Sequence, residues 1–285
     1  MQRLPLAGAA DGEIARPSTD DEPRGQVAAR SFAPVSDQPD PPSMQCLLRV
    51  NRDLISIFKA SVPGMFVEPE KYNATVVHAV IVGPDDTPYE GGFFHFVLKC
   101  LPDYPARPPL VRLMTTDAGR VRFGPNLYSS GLVSLSILGT FPGPSWRPDI
   151  TLGTVLVAIR SLLTEDPLAN EPGLGREFGT RLEKETGYNA KLRYHSLRVA
   201  VCDALEDCLA GNSSYPRVLQ QAVMRHFVER YAKYENAVIA QLGLDSSPLG
   251  GVSSGSRRCQ ELLERMRDLY GRALQVSARP KAMGM

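Results

Sequence analysis

The chain has almost no charge imbalance: 32 Lys and Arg stand against 31 Asp and Glu, a formal net charge of +1. A near-neutral protein has no long-range field with which to gather polyanions, so neither nucleic acid nor an anionic membrane is an expected partner. No apolar run approaches the roughly 20 residues that cross a bilayer, and the N-terminus lacks the apolar stretch of a secretory signal. Cysteine is sparse and scattered. Cys46, Cys100, Cys202, Cys208 and Cys259 form no Cys-x-x-Cys pair and share no ligand spacing with the histidines, which argues against a zinc site. An odd, dispersed set suits a reducing compartment better than a disulfide framework, and each thiol reads as a small buried side chain. The expectation is a cytoplasmic or nuclear protein with no cofactor and no metal. What is there, 43% hydrophobic and 22% charged residues over 285 positions, is the composition of a globular chain large enough for a sizeable core.

Residues 1–42 stand apart. Pro, Asp, Arg, Ala, Ser and Gly dominate them, ending in Asp37-Gln38-Pro39-Asp40-Pro41-Pro42. With few large apolar side chains to bury, such a segment does not offset its ordering entropy and is expected to be a disordered tail. Ser43 can cap a helix over 44–61. In it Leu47, Leu48, Val50, Leu54, Ile55, Ile57 and Phe58 recur at helical spacing, and Arg49, Arg52, Asp53 and Lys59 take the other side. Strands are expected over Met65–Val67, Ala74–Val82, Phe93–Cys100 and Val111–Thr115, separated by turn clusters such as Pro84–Gly92. One helix and then four closely spaced strands predict an α+β fold, a four-stranded antiparallel meander with flanking helices.

Beyond Pro172-Gly173 the pattern is helical. A long helix, whole or broken, is expected from Arg176 to about Gly211. Another starts at Tyr215-Pro216, with Val218, Leu219, Val223, Phe227, Tyr231 and Val238 on one face. A Ser/Gly-rich linker near 245–256 precedes a last helix, Cys259–Val276, whose stripe of Leu262, Leu263, Met266, Leu269 and Leu274 either packs on the preceding helices or holds a partner. The expected division is a tail over 1–42, a core domain over 43–211 and a helical C-terminal extension over 212–285.

The stretch Val121 to Trp146, VRFGPNLYSSGLVSLSILGTFPGPSW, is what the rest is arranged around. It holds Pro125-Asn126, Ser134-Leu135-x-Ile137-Leu138 and, with the residues after it, Trp146-x-Pro148. Tyr89-Glu90-Gly91-Gly92-Phe93 and Tyr104-Pro105-x-x-Pro108-Pro109 come before it. In this order and spacing the residues resemble the ubiquitin-conjugating enzymes. Leu113-Met114-Thr115-Thr116, Leu135 to Thr140, Thr164-Glu165-Asp166-Pro167, Asn170 to Gly173, Arg198 to Asp203, and the twelve residues from Ser134 to Trp146 are similar to the Z-type group. The likeness covers about residues 44 to 240.

The resemblance implies the ubiquitin-conjugating (UBC) fold and an acyl transferase that takes ubiquitin or a ubiquitin-like modifier from an activating enzyme and delivers it to lysine, often with a ubiquitin ligase. Ser134 falls where the family carries its thioester cysteine, and Asn126 where it places an amide that stabilises the oxyanion. Asn170 falls near the gate that orients the incoming lysine. Arg49 and Arg52 match the helix face that meets the activating enzyme, although a solvated face explains them as well. Ala106, Arg107, Arg147 and Pro148 match the loops where ligases dock, and Ala106 lacks the large apolar side chain common there. Gly124 replaces the histidine that often braces the Pro-Asn pair, which leaves the bracing open.

Ser134 is the departure that matters. A thiol ionises near pH 8.5 and its thiolate leaves readily, which is what an activated ester needs. One oxyanion donor adds roughly 3 to 4 kcal/mol. A serine hydroxyl is a poor nucleophile without an adjacent base, and V-S-L-S-I is not the nucleophile elbow of a hydrolase. Three readings stay open: a cysteine changed to serine to trap an oxyester, a variant that binds without carrying, or another cysteine that acts instead. His78 and His95 in strands and His195 and His226 on helices read as structural residues, and Trp146 as a packing anchor for the flap.

Overall fold

The computed structural model describes residues 41–170, 178–245 and 254–278, with the side chains of 178–185, 242–245, 254–255 and 277–278 left aside. The expected tail up to residue 40 and most of the Ser/Gly linker lie outside the described residues.

Helix α1, Met44–Ala60, begins where Ser43 accepts a hydrogen bond from the Cys46 N–H, as the capping rule predicts. Its inner face differs from the one expected. Cys46, Val50 and Leu54 are buried, whereas Leu48, Ile55 and Phe58 are exposed. Asp53, expected on the solvent side, is buried. It is held there by the Arg49 Nε (2.8 Å), the Tyr104 hydroxyl (2.5 Å) and the Leu152 N–H (3.0 Å), which all donate to its carboxylate. Burial of a charge is tolerated only with such partners, and apolar periodicity alone does not reveal them.

Strands β1 (Met65–Glu70), β2 (Asn73–Val82), β3 (Phe93–Lys99) and β4 (Leu110–Leu113) form an antiparallel sheet in the order β1-β2-β3-β4. Val77, Ala79 and Ile81 with Phe94, Phe96 and Leu98 point to the front, into a core shared with α1 and with α2 (Leu152–Arg160). Because side chains alternate across a strand, Val80, Val82 and Phe93 point to the back. There they meet Val201, Leu205, Phe227, Val238 and Met266 of the C-terminal helices. β3 is therefore buried on both faces.

Helix α3 (Phe178–His195), a π-helical segment (Ser196–Asp203) and α4 (Ala204–Ala210) follow one another without a break. The helix expected from Tyr215 is two, α5 (Arg217–Glu229) and α6 (Tyr231–Asp245), because Arg230 leaves the helical conformation at φ −115°. Val218, expected on the buried face, is exposed. α7 (Ser254–Ala278) turns Leu262, Met266, Leu269 and Ala273 into the second core, so its stripe packs on the preceding helices. Tyr270 of α7 stacks on Tyr231 at 3.9 Å between ring centres. Residues on both sides of the boundary expected at 211 contribute to this second core.

Candidate functional site

β4 delivers the chain to the flap, and backbone pairing ties the flap to the sheet edge. The Leu113 N–H donates to the Gly131 carbonyl at 2.8 Å, and bridges join Arg112 to Leu132 and Leu127 to Val133. Phe123 lies edge-on against Phe94 with ring centres 5.1 Å apart, and its carbonyl accepts from the Tyr89 hydroxyl at 2.6 Å. That hydroxyl explains Gly124: at φ +140° a Cβ there would stand 2.8 Å from it. The bracing left open by the missing histidine is supplied by Arg122. Its guanidinium donates to the carbonyls of Gly124 (2.9 Å) and Pro125 (3.0 Å) and lies 4.3 Å over the Tyr128 ring.

Asn126 and Ser134 face each other. The Ser134 N–H donates to the Asn126 carbonyl at 2.8 Å, and the Asn126 side-chain amide donates back to the Ser134 carbonyl at 2.9 Å. The amide expected to serve an oxyanion thus bonds to the backbone of the residue it would assist. Its own Oδ1 is buried without a partner. The Ser134 hydroxyl donates to the Thr140 carbonyl at 3.1 Å, and the residue is only 2% exposed. No carboxylate or imidazole among the described residues bonds to it, so nothing there acts as a general base.

The other thiols are no substitute. All five cysteines are buried. Burial pushes the thiols of Cys46 and Cys100 up, and those of Cys202 and Cys208 up to about 12 and about 11, away from the thiolate that carries acyl groups.

The outer positions divide. Arg49 is engaged internally, through Asp53 and through the carbonyls of Pro148 (2.6 Å) and Ile150 (2.7 Å), whereas Arg52 is exposed on α1. Ala106, Arg107, Arg147 and Pro148 are exposed, with Arg107 paired to Asp103 and Arg147 to Asp149. The Trp146 indole N–H donates to the Pro105 carbonyl at 2.8 Å, so the two loops are tied together and Trp146 is the anchor it was expected to be. Asn170 is exposed at the end of a 3-10 turn, Pro167–Asn170, and no described hydrogen bond joins it to Asn126 or Ser134.

Sequence reasoning missed Arg122, Thr140 and the buried role of Asp53. The pair Arg49/Asp53, four apart on one helix, was the available signal for Asp53. Away from the flap, His78 and His95 stack on the back of the sheet with Nδ1 and Nε2 3.0 Å apart. Burial, and the neighbouring His78, push the His95 imidazole down to about 3.

The model of the ubiquitin-conjugating enzyme family matches residues 49–196. Ubiquitin-conjugating enzyme E2 Z of Danio rerio is 45% identical over 233 residues, which is 81% of this chain and 69% of that one. Its Homo sapiens counterpart is 46% identical over 225 residues, 78% of this chain and 62% of that one. The solved structure of human ubiquitin-conjugating enzyme E2 G1 aligns at 31% identity and a TM-score of 0.37, over 42% of this chain and 94% of that one. With a family match over more than half its length, and relatives of this identity running well past it, the chain belongs to the ubiquitin-conjugating enzyme family, in its Z-type group.

Proposed function

We propose that the chain as written works in ubiquitin conjugation as a binding protein. It engages ubiquitin or a ubiquitin-like modifier, an activating enzyme or a ligase through its UBC fold, and does not itself carry the modifier as an ester. One observation carries this reading: the side chain at position 134 is a hydroxyl, 2% exposed, bonded to a backbone carbonyl and without a base. The exposed docking positions support the binding half: Arg52 on α1, and the tied loops around Ala106-Arg107 and Arg147-Pro148. Such a protein would act in the cytoplasm or nucleus.

The kept surroundings of position 134, with Asn126 still beside it, favour a second reading, a carrier that forms a stable oxyester. A charging assay separates the two. The chain and its Ser134→Cys variant are incubated with activating enzyme, ATP and ubiquitin and resolved with and without reductant and hydroxide. The expected result is no adduct on the serine form, with reversible binding of a partner retained. A reductant-resistant, hydroxide-sensitive adduct on serine would overturn the binding reading and establish the oxyester carrier.

A further inference from the structure

We infer that Thr140 is a positioning residue that latches position 134 shut, and that the segment 139–145 is the strap through which access to that position is controlled. This rests on the reading of 134 as the family's acceptor position, and the grip of Thr140 on the backbone of Val133 and Leu135 does not involve the side chain at 134. Three groups of Thr140 converge on the three residues centred on 134. Its carbonyl accepts from the Ser134 hydroxyl at 3.1 Å. Its hydroxyl donates to the Val133 carbonyl at 2.7 Å and accepts from the Leu135 N–H at 2.9 Å. Its own N–H donates to the Leu135 carbonyl at 3.3 Å.

From the other side, Asn126 takes the Ser134 N–H and carbonyl. Every polar group of residue 134 is therefore bonded within the protein, and its 2% exposure leaves no path for an acyl carbonyl to reach the side chain. The two clamps differ in how they are held. Asn126 sits in the buried flap. Thr140 is carried by residues that reach solvent: Gly139 and 141–145 are all exposed. Gly139, at φ +71°, has nothing within 4 Å of where a Cβ would be, and the segment's close approach to the protein beyond Thr140 is at Gly143, where a Cβ would stand 2.9 Å from that of Ser136. Of the two, the Thr140 side is the one that opens.

Thiol labelling reads that opening, because the five native cysteines are all buried and a cysteine placed at 134 reacts only when the strap lifts. Iodoacetamide is added to the folded Ser134→Cys protein, alone and combined with Thr140→Val or Thr140→Ser. Valine keeps the shape and the carbonyl but removes the hydroxyl; serine keeps the hydroxyl. Labelling of Cys at 134 is expected to be slow in the parent, roughly tenfold faster with Thr140→Val, the factor for about one net hydrogen bond, and slow again with Thr140→Ser. Labelling of the parent at the rate of an unstructured thiol would overturn the latch, as would equal rates for the valine and serine forms with unchanged melting. Should the valine form fail to fold, hydrogen exchange on the unmutated chain decides. Protection of the Leu135 amide comparable to the β-sheet supports the latch, and loop-like exchange overturns it. Neither measurement uses ubiquitin, so its outcome is independent of the charging assay.

Discussion

The two faces of the sheet are sealed by different means. The front is covered by α1, α2 and the flap, and its ordering groups are polar: Asp53 gathers Arg49, Tyr104 and the Leu152 N–H, while Asn126 and Thr140 grip residue 134 from both sides. The back is covered by the C-terminal helices and is held by apolar and aromatic packing, with Phe227 and Met266 fully buried and Tyr231 stacked on Tyr270. Its ion pairs, which include Arg265 to Asp203 and Glu206 and Arg198 to Asp117 and Asp203, are partly exposed and lie at the edge of that packing. A polar front can be altered at one residue, since a few directional bonds set its geometry; a packed back responds to lost area and volume.

The largest effect expected from this contrast is loss of the back layer. A chain ending at Gly211 keeps Val201 and Leu205 but strips Phe227, Val238 and Met266 from the core around Val80, Val82 and Phe93, and is expected to give no cooperatively unfolding monomer by size-exclusion chromatography and urea titration. A stable monomer with a single sharp transition would make the C-terminal helices an appendage and break the comparison.

Next is the front's polar knot. Asp53→Ala leaves the Arg49 and Tyr104 donors without their acceptor, and removing one partner of a buried charged cluster costs about 3–5 kcal/mol, readable from the urea midpoint. A loss below about 1 kcal/mol would mean that packing, not the carboxylate, orders this face.

The smallest effect is a pH dependence that belongs to the back. His95 is held near 3 in the fold against an ordinary 6.5, first by burial and then by His78. Because its folded value is depressed, the unfolded chain takes up a proton that the folded one refuses, and stability falls as pH drops below 6.5 toward 3. From pH 7 to pH 5 this one group accounts for a loss of about 2 kcal/mol, and His95→Phe is expected to flatten the slope by that amount. An unchanged slope would show that His95 gains its proton in place.

Much of the front was legible in advance. Ser43 as a cap, the four strands and their meander, and Trp146 as an anchor follow from signals that are local or spaced at fixed intervals, and the pairing of Asn126 with Ser134 is in line with what the family resemblance implied. The inner face of α1 was not legible, because the helix is apolar on two sides and only α2 and the sheet select Val50 and Leu54 over Ile55 and Phe58. The same holds for β3, whose second buried face depends on helices more than a hundred residues later. Arg122 and Thr140 stood in the quoted motifs without a role, since their partners are backbone carbonyls and amides, which carry no residue-type signal.

Without revealing α2 or the break between α5 and α6, the sequence by itself determined the first helix and the four strands that follow it, the family, and the chemical fact that a hydroxyl replaces a thiol at position 134. Those depend on residue identity and spacing along the chain. Only the tertiary structure decided that this hydroxyl is buried and bonded, that Arg49 faces inward to Asp53 and the Pro148 and Ile150 carbonyls, and that the sheet has no open back. Each of these follows from which surfaces meet, and burial and hydrogen-bond pairing are properties of the assembled fold that no local pattern encodes.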